Sequence, residues 1–168
     1  QHTDLAACKR IIRETGDDSK PAILALLQNT VSSMTENGLI LPEEAPFIDC
    51  SVLVPFFFSD IGRRMMNAES VRRELPFTVL RPASEFGLAE AGEISVQGMI
   101  DCCFSENGAY VLLDFKSDAV PESLLLQRAE QYRPQLTLYA EALEAITGCP
   151  VSQKVLYFLR AGREISLS

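Results

Sequence analysis

No run of about 18 or more apolar residues occurs in this chain, so the sequence contains no helix long enough to cross a bilayer. An initiator Met and a basic-then-apolar leader are missing too, and the opening QHTDLAACKR reads as part of a longer, soluble chain. The five cysteines (Cys8, Cys50, Cys102, Cys103 and Cys149) are odd in number and show no C-x-x-C spacing. Neighbours such as Cys102 and Cys103 rarely bridge, so reduced thiols and a cytoplasmic setting are expected. Basic residues are in deficit: 15 Lys and Arg face 23 Asp and Glu, a net charge of -8. That balance excludes binding nucleic acid by bulk electrostatics, which takes clustered cations. Any such contact has to be local, metal-assisted or supplied by a partner. Repeats, low-complexity tracts and Gly/Ser linkers are absent as well. What is present, 168 residues with 47% hydrophobic content, fits one globular domain over residues 1–168 with a sizeable core.

The pattern changes character near residue 70. Residues 1–70 read as helical and 71–168 as sheet-bearing. KPAILALLQNTVSSMTENG (20–38) has apolar residues at helical spacing, Pro21 in its first turn and Gly38 as a stop. Residues 41–68 read as two or three short helices, with a cap at Ser59 or Asp60. From VRRELPFTVL (71–80) the period shortens. EISVQGMIDCCF (93–104) and AYVLLDFK (109–116) read as antiparallel strands joined by the turn SENG. Residues 121–148 form a long helical pattern that Pro134 should kink or divide and Gly148 should end. SQKVLYFL (152–159) is a further strand, with EISLS as a hairpin partner across Gly162. The order implies an α/β fold, a mixed central sheet flanked by helices.

Within the strand VLLDFKSD (111–118), Asp, Lys and Asp follow a run that asks for a dry environment. An ionised carboxylate there is costly unless paired, protonated or holding a metal. An Asp-x-Lys triplet alone means little, because a strand end emerging into solvent also carries such residues. Here, however, Asp101 precedes Asp114 across a tight turn, and Lys116 shares a strand face with Asp114. Two carboxylates so placed repel unless a cation lies between them, and an oxygen-lined site suits Mg²⁺ or Mn²⁺. Lys116 is then positioned to orient a water or to stabilise charge on a phosphate.

The succession GMID, LLDFKSD and QYRPQLTLYAEAL resembles the RecB-like nucleases of the PD-(D/E)xK superfamily, in which G-x-x-D, D-x-K and a helical Q-x-x-x-Y follow in that order. Within that family the likeness, which also takes in LILPEEAPFID and FFFSDIGRRMMNAESVRRELPF, is to the C-terminal nuclease domains of AddA-type helicase-nuclease subunits. It covers nearly the whole chain. The resemblance implies a restriction-endonuclease-like fold and a Mg²⁺-dependent DNA exonuclease domain in double-strand-break processing. Its partners would be DNA, the helicase part of the parent chain and an AddB-like subunit. By the same resemblance Asp101, Asp114 and the carbonyl of Phe115 hold the metal, Lys116 is the catalytic lysine, and Gln135 and Tyr139 face the site from the following helix. The family also has a G-T-x-x-H motif whose His joins the metal site. QHTDL resembles the residues just after it, which places that His upstream of Gln1, leaves His2 at a terminus and implies weak metal binding and cutting by this stretch alone.

Other residues have plainer readings. Glu74 is either near the active face or a surface group, and strand alternation does not decide between them. Arg63, Arg64, Arg72 and Arg73 read as a solvated face rather than phosphate contacts, Phe56 to Phe58 as packing the core or the rest of a larger protein, Asp118 as a turn cap, and at most one of Cys102 and Cys103 shares the site's face. The reading from a different class is a non-catalytic docking module for the helicase and its partner subunit. A weaker third is a metal-dependent phosphoesterase acting on mononucleotides.

Overall fold

Helix α1 (Leu5–Thr15) starts where Asp4 accepts the Ala7 N–H at 3.0 Å and stops at Gly16, whose φ of 60° ends the helical run. The computed structural model describes residues 3–87 and 92–167. The chain divides into one unit made of Gln1–Asn67, Lys116–Val120 and Tyr157–Glu164, and a second made of Ala68–Phe115, Pro121–Leu156 and Ile165–Ser168. Among the described residues no helix is long and apolar enough to cross a membrane.

The first unit is helical. Helix α2 (Lys20–Glu36) opens with Pro21 in its first turn, buries Ile23 and Leu27 one turn apart, and ends at Asn37 before Gly38. Between residues 41 and 68 the expected short helices are 3-10 turns followed by α3 (Val54–Phe58) and α4 (Asp60–Asn67). Phe56 and Phe57 are core residues, and Phe56 packs edge-on against Tyr157 with centroids 4.9 Å apart. Burial pushes the Tyr157 phenol up to about 12. Phe58 is half-buried, with the Lys20 ammonium 5.6 Å from its ring centre.

Ser59 sets the corner between α3 and α4: its Oγ accepts the Gly62 N–H at 3.1 Å and donates to the Phe56 carbonyl at 2.7 Å. The Ile61 N–H donates to Glu164 Oε2 at 3.0 Å, which places a carboxylate at the positive end of α4. The corner is tight enough to require glycine at position 62, where a Cβ would stand 1.9 Å from the Phe56 oxygen. Gly62→Ala is therefore expected to cost about 3 kcal/mol, because backbone must move to admit the methyl. A chemical melt of the variant measures this, and stability within about 0.5 kcal/mol of the parent would show that the corner yields freely.

The second unit is built on the sheet, whose strands lie in the order β1 (Ser70–Pro82), β2 (Glu93–Glu106), β3 (Ala109–Lys116), β4 (Val151–Phe158), β5 (Arg163–Leu167). β1 pairs antiparallel with β2, and β2 with β3. The β2–β3 turn has Asn107 at φ 53° and Gly108 at φ 77°, the left-handed pair that a two-residue hairpin needs and that Asn-Gly supplies cheaply. Tyr110 N–H donates to the Pro150 carbonyl and Leu159 N–H to the Lys116 carbonyl, so β4 runs parallel to β3 and the sheet is mixed. The crossover between them is helical. Pro134 divides it, ending α5 (Leu125–Gln131) and standing in the first turn of α6 (Arg133–Thr147), which closes on Gly148 at φ 68°. Val111, Leu112 and Leu113 of β3 are fully buried, as the apolar run requires.

Candidate active site

The β2–β3 register pairs Cys102 with Leu113 and Cys103 with Leu112. Continued by one residue, it sets Asp101 beside Asp114. Alternation puts both carboxylates on one sheet face together with Cys103, while Cys102 points to the other. Asp114 is only 2% exposed, one of two buried polar or charged side chains identified in the core. Asp101 is half-buried, and its Oδ2 accepts the Phe115 N–H at 3.0 Å. That bond crosses from β2 to β3 and fixes the Asp101 carboxylate next to the backbone that carries Asp114. Lys116 ends β3 two residues beyond Asp114 and begins the segment assigned to the first unit.

The chemistry of this donor set suits a hard divalent cation. It is all oxygen, it carries two negative charges, and the buried Asp114 Oδ2 atom accepts no hydrogen bond, although the residue has other interactions. Among the described residues no group of three or more His, Cys, Asp or Glu side chains is arranged to hold a metal. His2 lies outside the described residues.

Gln135 and Tyr139 stand one turn apart on α6, and Gln135 Nε2 donates to the Tyr139 hydroxyl at 2.9 Å. What holds Tyr139 was not visible in the motifs. Its ring meets Phe77 of β1 edge-on at 5.3 Å, and Phe77 lies opposite Gly98 of β2. A Cβ at position 98 would come within 2.6 Å of the Phe77 ring. Gly98, the glycine of GMID, thus makes room for the ring that Tyr139 leans on. An Arg81–Glu141 ion pair further ties β1 to α6. The signal for this support lay in the register, which places Phe77 opposite Gly98 once the β1–β2 pairing is known.

Glu74 also acquires a definite place. The β1–β2 register pairs Arg73 with Cys102 and Leu75 with Ile100, which leaves Glu74 level with Asp101. It is exposed and has φ 52°, rare for a residue with a Cβ. Arg63 and Arg72 are exposed, while Arg64 and Arg73 are half-buried. Asp118 is half-buried in the segment after β3. Burial raises the Cys102 thiol to about 12 and the Cys103 thiol to about 11, so neither supplies a thiolate near neutral pH.

Residues 10–166 match the PD-(D/E)XK nuclease superfamily, and the chain belongs to that superfamily. The match takes in every residue of the site just described. The chain is 37% identical over 149 residues to an ATP-dependent helicase/nuclease subunit of Desulforamulus reducens, covering 86% of this chain and 12% of that protein. It is 36% identical over 162 residues to the proteins of the same name from Bacillus cereus (strain AH820) and Bacillus anthracis, covering 90% of this chain and 13% of each. The chain therefore spans 12–13% of the length of these relatives. Nucleases of the superfamily generally use divalent metal ions.

Proposed function

We propose that residues 1–168 form one nuclease domain that hydrolyses DNA phosphodiester bonds as an exonuclease, within a cytoplasmic helicase-nuclease that processes double-strand breaks for recombinational repair. The observation that carries this reading is the pair of carboxylates, Asp101 and Asp114, abreast on β2 and β3 of a superfamily member, with the Phe115 N–H holding one of them. Asp101, Asp114 and the Phe115 carbonyl would hold Mg²⁺, or Mn²⁺ in its place. Bound there, the cation would supply positive charge to a non-bridging phosphate oxygen and acidity to the attacking water.

The rest falls to the chain's own residues. Lys116, on the Asp114 face of β3, orients the water and stabilises the charge that grows on the phosphate. Gln135 and Tyr139, joined by their hydrogen bond and braced by Phe77, present polar groups to the DNA backbone or to the lysine. The relatives' name, one subunit of an ATP-dependent helicase/nuclease, supports a helicase part in the parent chain and an AddB-like partner. Cleavage of end-labelled single-stranded DNA, with Mg²⁺ and with EDTA, tests the reading in the 168-residue chain and in a helicase-nuclease that contains it. Metal-dependent products are expected from the longer protein and, more weakly, from the chain alone. Their absence from both would overturn it.

A further inference from the structure

We propose that the cleft between α1 and α4, in the helical unit, binds the phosphodiester backbone of a nucleic-acid single strand. The proposal rests on the reading that DNA is the substrate and adds a site to it. The cleft has a volume of about 470 Å³, in the range of ligand pockets. From α1 it is lined by Lys9, Ile12 and Arg13, which share one helix face, and it ends at Gly16. Arg63, Met66 and Asn67 line it from α4, again at spacings of three and four.

Three of these residues are cations, and among the described residues that line the cleft none is acidic, in a chain where 23 acidic residues outnumber 15 basic ones. Of the nearby carboxylates, Asp4 caps α1 and Asp60 pairs with Arg64 at 3.9 Å. Lys9 and Arg13 are separated by about 6 Å along the helix axis. Two flexible side chains at that spacing reach either one phosphate together or two successive phosphates of a backbone. Ile12 and Met66, both half-buried, give the cleft apolar surface between the cations, which suits sugar and base edges better than a second carboxylate chain. This local concentration of positive charge supplies the contact with DNA that a net charge of -8 otherwise denies the chain.

The test is fluorescence anisotropy of a labelled single-stranded oligonucleotide titrated with the 168-residue chain in EDTA, which prevents cutting, over a series of salt concentrations. Lys9→Gln, Arg13→Gln and their combination are compared with Arg10→Gln, which removes a charge from the same helix outside the cleft. All three side chains are exposed, so the variants should fold, and melting curves check that they do. The double variant is expected to bind about tenfold more weakly at low salt and to lower the slope of log affinity against log salt by about 1.4, or about 0.7 per lost phosphate contact.

Arg10→Gln should change the slope by less than either single cleft variant. An unchanged slope in the double variant, an equal loss from Arg10→Gln, displacement of the strand by an oligoglutamate peptide at equal charge, or no binding by the parent would each overturn the proposal. Failure of the nuclease reading looks different: a strand bound with the full slope and never cut by either protein leaves the cleft in place. Normal cutting with an unchanged KM in the double variant removes the cleft alone.

Discussion

Replacing Lys116 by alanine in a helicase-nuclease that contains this domain is expected to slow DNA cleavage by about 10²–10³-fold, with affinity for DNA almost unchanged. The split follows from where charge is concentrated. In the ground state one ammonium among many phosphate contacts contributes little, but the transition state gathers negative charge on the phosphate beside it. On β3 Lys116 follows Asp114 by two residues and so shares its face, which is what the proposed role asks of it. Unwinding, driven by a separate motor, should survive in the same preparation. Cleavage rate, DNA affinity and unwinding measured together decide the matter: normal cleavage removes the catalytic role, and lost unwinding means misfolding.

Asp114→Asn should have the opposite signature, a more stable metal-free protein that no longer responds to metal. The wild-type carboxylate is 2% exposed and lies abreast of a second acidic side chain, Asp101, a crowding that weighs against the interactions the residue makes elsewhere. Asparagine keeps the shape and removes the charge, for a gain of about 1 kcal/mol, or about 3 °C in Tm for a chain of this size. Excess Mn²⁺ should raise the wild-type Tm, since a ligand at about 100 times its Kd adds about 2.7 kcal/mol, and should leave that of Asp114→Asn unmoved. Differential scanning calorimetry with and without Mn²⁺ gives both numbers. A lower metal-free Tm in the variant would make Asp114 a structural residue, and an intact Mn²⁺ shift would move the metal site elsewhere.

Much of the architecture was legible because single residues dictate backbone conformation. Pro134 cannot continue a helix, and α5 and α6 separate beside it; Asn107 and Gly108 tolerate the left-handed region, and the β2–β3 hairpin turns on them. Asp101 and Asp114 were legible for a related reason, since a tight turn of known length fixes the register on both sides. Helix α1 was harder to read, because only Ala7 and Cys8 of LAACKRIIRET are buried. The support beneath Tyr139 was not legible at all. It depends on Phe77 lying opposite Gly98, a long-range pairing that appears only when β1 and β2 align. Glu74 belongs with it: period-two alternation does not anticipate a positive φ in mid-strand.

The stretches that complete the helical unit come late in synthesis. Phe56 has Tyr157 as a ring partner besides its neighbour Phe57, and the Ile61 N–H finds its acceptor on Glu164, 103 residues downstream. A nascent chain emerging from the ribosome can close the β2–β3 hairpin as soon as its turn is free, since that contact is local. The helices of residues 5–67 must wait, with Phe56 and the start of α4 lacking these partners until residues 157–164 have been translated. During that interval these helices stand without those partners, and a stop codon placed before Tyr157 would damage the start of this domain as much as its end.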